Sequence, residues 1–443
     1  MEKNNELEQA PAVAPSASDE SVSRRGFIKT ISVAGAGLAA AQVANAAGAA
    51  GAKPAVKPAP KPAPPAAKPQ EIRVAIIGPG NQGRNLLTQC LRIDGVRFVA
   101  VCDIWDYSRT YAANILKKFD QPVKVYEDYR EMLAQQKDID AVIVATPDWM
   151  HVPITVACLE AGLHVYCEKE MSNSIEEAAK LVKAWRKSGK LVQIGHQRRS
   201  NPRYWQVDNL IHKDKTPGKI THCFGQWNRS RKLDLGWPKD AVMSDEKLKE
   251  HGYDTMQRLR NWRWYKKFSG GPIADLGSHQ IDIFNWMLGT PPISVQATGG
   301  ADNYPGTEWY DNMLTMLDYK TEWGMVRAFY QVINTSSYGG YYEVFMGENA
   351  AVEISENINK GAIFPEPVAK QKEWVNEATR SATQGAIDLL THLGETLGKS
   401  GKRQLQMLSW YRWFWCFVKF TISEAMSVSR MRDSEAERFS VAT

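Results

Sequence analysis

The chain has 443 residues, 43% hydrophobic and 23% charged, the proportions of an ordinary globular protein long enough for two domains plus a leader or tail. Its net charge of +6 is modest and partly carried by a Lys-rich stretch around residue 60. No basic stripe interleaves with aromatics, so nucleic acid is not an expected partner.

The first segment in chain order is not fold. Residues 23–29 read Ser-Arg-Arg-Gly-Phe-Ile-Lys, which fits the twin-arginine export consensus. A weakly hydrophobic Ala/Gly run follows from Ile31, and Ala44-Asn45-Ala46 supplies a cleavage site. Residues 1–46 are therefore expected to be a signal peptide, read by the twin-arginine export machinery, which delivers folded protein to the periplasm. Residues 47–70 are almost entirely Ala, Pro, Lys and Gly, a semi-extended linker with nothing to bury. The folded part is expected to start near Glu71.

The segment Ile72–Ile77 is a short β-branched strand, followed at once by Gly78-Pro-Gly80-Asn81-Gln82-Gly83, a helical stretch over Arg84–Leu91 and a second strand, Arg97–Cys102. Asp103 closes that strand, twenty positions after the last glycine. A glycine loop between strand and helix, with an acidic residue at that distance, is the dinucleotide-binding pattern. Gly78 allows the tight turn, Gly80 lets backbone amides approach a pyrophosphate, and Gly83 lets helix and strand pack closely. The helix N-terminus, at Asn81 and Gln82, then faces the phosphates. Asp103 is placed to accept from both ribose hydroxyls and repel a 2′-phosphate, which favours NAD, with NADP left open because Arg109 lies near that corner.

The alternation continues with helices over Tyr111–Phe119 and Glu127–Gln136, a strand over Ala141–Ala145, and the loop Thr146-Pro147-Asp148-Trp149-Met150-His151. A helix over Ile154–Ala161, a strand over His164–Cys167, a helix over Ile175–Ser188 and a strand over Leu191–Ile194 complete an α/β domain with a doubly wound parallel sheet, residues 71–195. Ligands of such sheets lie at the carboxyl ends of the strands, where Thr146, Pro147, His151, Glu168 and Lys169 fall. Trp149 and His151 are candidates to line a nicotinamide pocket. Gln197 and Arg198, just past the last strand, are candidates for substrate hydroxyls, whereas His196 reads as a packed residue.

Asp275 and His279 are four apart on a helix predicted to run to about Leu288, hence on one face. The carboxylate could fix the imidazole tautomer and stabilise the imidazolium as a proton arrives. The aromatic residues Trp227, Trp237, Trp262, Trp264 and Tyr265 either stack on sugar rings or fill the core. The six cysteines form no CxxC pair and no metal-ligand spacing, so no metal site is expected; Cys102 and Cys167 read as small buried hydrophobes. No uninterrupted apolar run of membrane-spanning length occurs in the folded part. Met407–Met426 carries Arg412, Lys419 and Glu424 and reads as an amphipathic helix docked on the body, leaving no stable membrane span once the signal is cleaved.

Over residues 71–365 these motifs resemble the glucose–fructose oxidoreductase/inositol dehydrogenase family, Gfo/Idh/MocA. The residues that carry the resemblance are the glycine loop, Ala145-Thr146-Pro147 with His151, Cys167-Glu168-Lys169, Gly195-His-Gln-Arg-Arg199, and the run from Gly270 through Asp275 to His279. The resemblance implies a second α/β domain, residues 196–397, with an open, mainly antiparallel sheet, a sugar or polyol substrate and a homo-oligomer. It also implies that Lys169 hydrogen-bonds the reacting oxygen and that His279 is the general base. The family's usual Glu-Lys-Pro is Glu168-Lys169-Glu170 here, and residues 398–443 lack the family's closing pattern and stay unassigned.

Export has a chemical consequence. A dissociating nucleotide would be lost outside the cytoplasm, so the cofactor must be retained and regenerated on the enzyme. That requires paired oxidation and reduction of two substrates, an external redox partner, or transient oxidation of one sugar followed by epimerisation or by glycoside hydrolysis or elimination. A non-catalytic sugar-binding protein with structural NAD is the reading from a different class, disfavoured by the Lys169, Asp275 and His279 set.

Overall fold

The computed structural model describes residues 71–230 and 234–367 and a two-residue strand at Ile387–Asp388. The expected signal peptide, linker, Met407–Met426 helix and Cys416 lie outside the described residues.

The first sheet has six parallel strands: β1 (Ile72–Ile77), β2 (Val96–Cys102), β3 (Lys124–Tyr126), β4 (Ala141–Val144), β5 (His164–Cys167) and β6 (Val192–Ile194), in the order β3-β2-β1-β4-β5-β6. The order reverses beside β1, where a doubly wound sheet opens its ligand crevice. β4 is buried along its whole length, as expected of a strand covered on both faces. The covering helices are α1 (Asn81–Cys90), α2 (Asp106–Lys118), α3 (Tyr129–Gln135), α4 (Asp148–Glu160) and α5 (Ile175–Ser188). Ser174 caps α5 by accepting from the Glu177 amide, and Gly189 ends it at φ 64.

Three local expectations differ from the fold. The helix expected from Tyr111 begins at Asp106, and the one expected from Ile154 begins at Asp148 with Pro153 inside it. β3 has no apolar alternation, since two of its three residues are exposed. It forms by pairing with the open edge of β2, a tertiary effect that periodicity does not register.

A tight turn at Gln197–Ser200 and α6 (Pro202–His212) lead into the second sheet. Its strands are β7 (Ile220–Asn228), β8 (Ser294–Gly300), β9 (Asn312–Thr321), β10 (Gly324–Ile333), β11 (Tyr341–Gly347), β12 (Ala350–Ile354), β13 (Gly361–Pro365) and β14 (Ile387–Asp388), in the order β14-β13-β12-β11-β7-β10-β9-β8. Every pairing is antiparallel except β7 with β10.

Between β7 and β8 the chain leaves this sheet for an excursion carrying α7 (Asp245–Glu250), α8 (Met256–Arg260), a wide π-turn over Ile273–Gly277 and α9 (Ser278–Leu288). α9 buries Ile283, Phe284 and Met287 in one core with Tyr319, Tyr330 and Phe345, each such side chain contributing about 1.5–3 kcal/mol. A separate cluster joins Trp105 of the first domain to Tyr253, Trp264 and Phe268 of the excursion. That packing sets the excursion against the nucleotide edge of the first sheet. Cys90, Cys102, Cys158, Cys167 and Cys223 are buried free thiols.

Candidate active site

One cleft of about 760 Å³ runs along the carboxyl ends of β1, β2, β4 and β5 and is closed by the excursion. Its nucleotide half is lined by Gly78, Gly80, Asn81, Gln82, Asp103, Thr146 and Pro147. Gly78 has φ +84, and a side chain there would sit 2.8 Å from the Ala145 backbone. A side chain on Gly83 would run into the Gly78 carbonyl, whereas above Gly80 nothing lies within 4 Å. That open space, where the backbone must approach a pyrophosphate, fits a dinucleotide. The buried Thr146 hydroxyl oxygen, which has no partner among the described residues, fits one too. Burial pushes Asp103 up to about 6, against the Trp105 amide and the charges of Arg109, Arg84 and Arg260. Arg109 donates to the Asp103 carbonyl at 3.0 Å and to Glu127 at 3.1 Å.

Glu168, buried behind this half, accepts from the Gln82 amide at 2.9 Å and the Tyr166 hydroxyl at 3.2 Å. Gln82 and Glu168 thus act on one another as well as lining the cleft.

The other half of the cleft is built on Lys169. Its Nζ donates to the Asp275 carbonyl at 2.5 Å and reaches carboxylate oxygens of Asp275 and Glu170 at 3.2 Å each. The Lys169–Glu170 peptide is cis, although glutamate stands where the family has proline. Burial opposes the lysine charge, but Asp275, Glu170 and Asp148 outweigh it and raise the pKa above the ordinary lysine range. Lys169 is therefore a fixed cation. His279 is 5% exposed, and its ring packs on Trp227 with centroids 5.2 Å apart. Burial, then the charges of Lys169 and Arg198, hold its pKa well below the usual histidine range. It is a neutral imidazole on the cleft wall, able to take a proton.

Three expected roles are corrected. Asp275 makes no hydrogen bond to His279. The π-turn breaks the single helical face, and the carboxylate meets Lys169 and Arg263 at 3.2 and 3.1 Å, with Arg229 at 3.7 Å. Full positive charges outcompete a neutral ring for it. Arg198 does not face substrate. It is 1% exposed and is bound by Glu343 and, at 3.2 Å, by Glu356. His151 does not line the cleft either. It is buried, with ring nitrogens 2.5 and 2.9 Å from the carbonyls of Glu170 and Thr146. Two acceptors call for a proton on each nitrogen, and the pKa is raised although burial opposes it. His151 therefore pins together the two loops that carry Thr146 and Lys169.

Of the remaining candidates, Gln197, Trp149 and Trp227 line the cleft, as does Trp262, while Trp264 and Tyr265 are core. His196 is a packed residue beside Asp282. The residues sequence reasoning missed are Arg229, Arg263, Arg260 and Tyr253, all lining the cleft from the excursion. No local motif marks them; the Trp-rich run around Arg263 is the nearest signal.

Residues 72–196 match the family described as "Oxidoreductase family, NAD-binding Rossmann fold", and residues 248–352 match the "GFO/IDH/MocA C-terminal domain". Inositol 2-dehydrogenase of Salmonella typhimurium is 34% identical over 142 residues, 32% of this chain and 41% of that protein. The 2,7-anhydro-N-acetylneuraminate hydratase of Mediterraneibacter gnavus is 25% identical over 237 residues, 54% of each. These matches thus span less than two thirds of the relatives' lengths. The crystal structure of myo-inositol 2-dehydrogenase from Lactobacillus plantarum superposes with a TM-score of 0.53 at 21% identity, covering 77% of this chain and 88% of that one. That likeness establishes the fold.

Proposed function

Given that the chain belongs to the GFO/IDH/MocA oxidoreductase family, we propose that it is an exported, NAD-dependent oxidoreductase of a sugar or polyol hydroxyl that retains and recycles its cofactor. The observation that carries this reading is the pairing of a fixed cation, Lys169, with a neutral base, His279, on one cleft beside the glycine loop.

The bound nucleotide supplies the hydride acceptor. His279 takes the hydroxyl proton, and Lys169 donates to the same oxygen as negative charge develops on it. Asp275 and Glu170 keep the ammonium charged and aimed. Trp227 holds the imidazole plane, and Gln197 lies on the wall where it can read neighbouring hydroxyls.

Retention is supported by the excursion. The Trp105 indole donates to the Ala241 carbonyl at 2.7 Å, Lys247 pairs with Glu127 at 2.8 Å, and the Trp149 indole meets the Tyr253 hydroxyl at 3.2 Å. These contacts hold the excursion beside the nucleotide half of the cleft and favour slow release. The twin-arginine motif supports loading in the cytoplasm and work in the periplasm. Leu314, Met316, Met325 and Met346, exposed on the open face of the second sheet, support a homo-oligomer built through that face.

Protein dialysed at length and then denatured should release NAD in near-stoichiometric amount, and adding sugars to the holoprotein should change absorbance at the reduced-nicotinamide band. A silent band across a broad sugar panel sinks the oxidoreductase reading. The likeness to a hydratase favours one second reading, a transient keto-sugar that undergoes elimination or epimerisation with no net redox change. Mass spectrometry of products would reveal it as an isomer, or a hydrated or cleaved sugar, in place of an oxidised one.

A further inference from the structure

Several other arginines among the described residues each make two or more hydrogen bonds. Arg199 makes three hydrogen bonds to Asp282, Arg203 donates to the carbonyls of Ser355, Asn357 and Lys360, and Arg73 binds Asp140 through two side-chain nitrogens. Arg229 and Arg263 are the contrast. Both line the catalytic half of the cleft; the buried Nε of Arg229 lacks a hydrogen-bond partner among the described residues, and the Nε of Arg263 lies 3.1 Å from a carboxylate oxygen of Asp275. Their ion-pair partner is the one carboxylate of Asp275, which Lys169 already occupies. Their side chains are 35% and 31% exposed. Arg263 is steadied from the other side by the Trp262 ring at 4.1 Å.

The charges do not balance. Lys169, Arg229 and Arg263 face two carboxylates, Asp275 and Glu170, and His279 is neutral. Asp148, whose pKa burial and the Glu170 charge push upward, and the buried imidazolium of His151 add no net negative charge between them. At least one positive charge is left over, on guanidinium groups that face the cleft. A guanidinium suits a carboxylate through parallel N–H donors. Burial lowers the Arg229 pKa despite the Asp275 charge, whereas burial of Arg263 is outweighed by Asp275 and Asp148 and its pKa is raised, so Arg229 is the cation shorter of counter-charge.

We propose that Arg229 and Arg263 form a carboxylate subsite, and that the substrate is an acidic sugar such as a hexuronate, its carboxylate held there while a ring hydroxyl meets Lys169 and His279. This rests on the cleft being a sugar oxidoreductase site.

The test uses the full-length holoprotein and matched pairs: hexuronates, their parent hexoses, and the hexose 6-phosphates. Binding is followed by the fluorescence of Trp227 and Trp262, and electron transfer separately by nicotinamide absorbance. Hexuronates should bind roughly 10- to 100-fold tighter than the parent hexoses, the usual weight of a hydrogen bond to a charged group. Arg229→Met and Arg263→Met should each cut that preference to within about threefold, while Arg263→Lys retains part of it. A panel in which no hexuronate outbinds its hexose overturns the proposal without any variant needing to fold. So does a variant that weakens acid and hexose equally, which would mean that the arginines only hold Asp275. A phosphate that outbinds the carboxylate overturns the carboxylate assignment. Tight, arginine-dependent hexuronate binding with a silent nicotinamide band would uphold the subsite and sink the oxidoreductase reading instead.

Discussion

Two sets of buried charges in this molecule follow opposite rules. Beneath the second sheet, Arg198 is enclosed by Glu343 and Glu356, and the Tyr204 hydroxyl donates to Glu343 at 3.0 Å, so carboxylates outnumber cations. In the cleft, Lys169, Arg229 and Arg263 converge on Asp275, and cations outnumber carboxylates. A saturated set can only hold the fold. An unsaturated set facing a cavity keeps donors free for something that arrives. The ratio of partners, together with access to the cleft, is what separates structure from function.

The strongest test removes a cation from the unsaturated set. Lys169→Ala should leave Asp275 still paired with Arg263, so the thermal midpoint should barely move while single-turnover hydride transfer falls about 10²–10⁴-fold. His279→Ala should lose a similar amount and recover partly as pH rises, because hydroxide can substitute for a missing base; Lys169→Ala should not recover. The wild-type rate should stay flat between pH 8 and 6. The neutral form is the active one, and a folded pKa well below the ordinary ~6.5 delays protonation of His279 to more acidic pH. A rate halved near pH 6.5 would show that the base titrates as an ordinary histidine.

The saturated set should behave in reverse. Arg198→Met strands Glu343 in the interior, and breaking one side of a buried pair costs about 3–5 kcal/mol. Denaturant unfolding should register that loss, while protein that remains folded keeps its hydride-transfer rate. A large rate defect with unchanged stability would return Arg198 to the substrate.

Asp103, in the nucleotide half, is the intermediate case and carries the smallest effect. Asp103→Ser should shift the NAD-to-NADP affinity ratio of stripped protein by about tenfold, the scale of one hydrogen bond to a charged group. Because its pKa is raised to about 6, the wild-type preference for NAD should itself weaken as pH falls through that value and the carboxylate is protonated. Titration of the stripped protein with each nucleotide at pH 5 and 8 reads both effects, and a ratio indifferent to pH would mean that another group reads the ribose.

What could be read without the fold follows from local physics. A glycine at φ +84, a loop that tolerates no side chain at Gly83, and β-branched runs spaced by amphipathic helices each leave a mark within a few residues. The first domain, its nucleotide half and Lys169 at a strand's carboxyl end were therefore visible in the sequence, while His279 was implied by the resemblance to the family. β3 was not, because an exposed three-residue edge strand has no periodicity to detect.

The partnerships of charged groups were decided elsewhere. Asp275 and His279, four apart, suggested a pair; the fold instead joined Asp275 to Lys169, 106 residues away. Arg198, beside the last strand of the nucleotide sheet, looked free for substrate and was bound by Glu343, 145 residues on. His151, on a loop at the ligand edge, was buried between two carbonyls. Backbone conformations and apolar faces follow from neighbours along the chain and are legible there. Which cations were saturated and which were left facing the cleft followed from the fold, since Coulomb attraction acts on distance in space, and the sheets that set those distances are assembled from segments far apart in the chain.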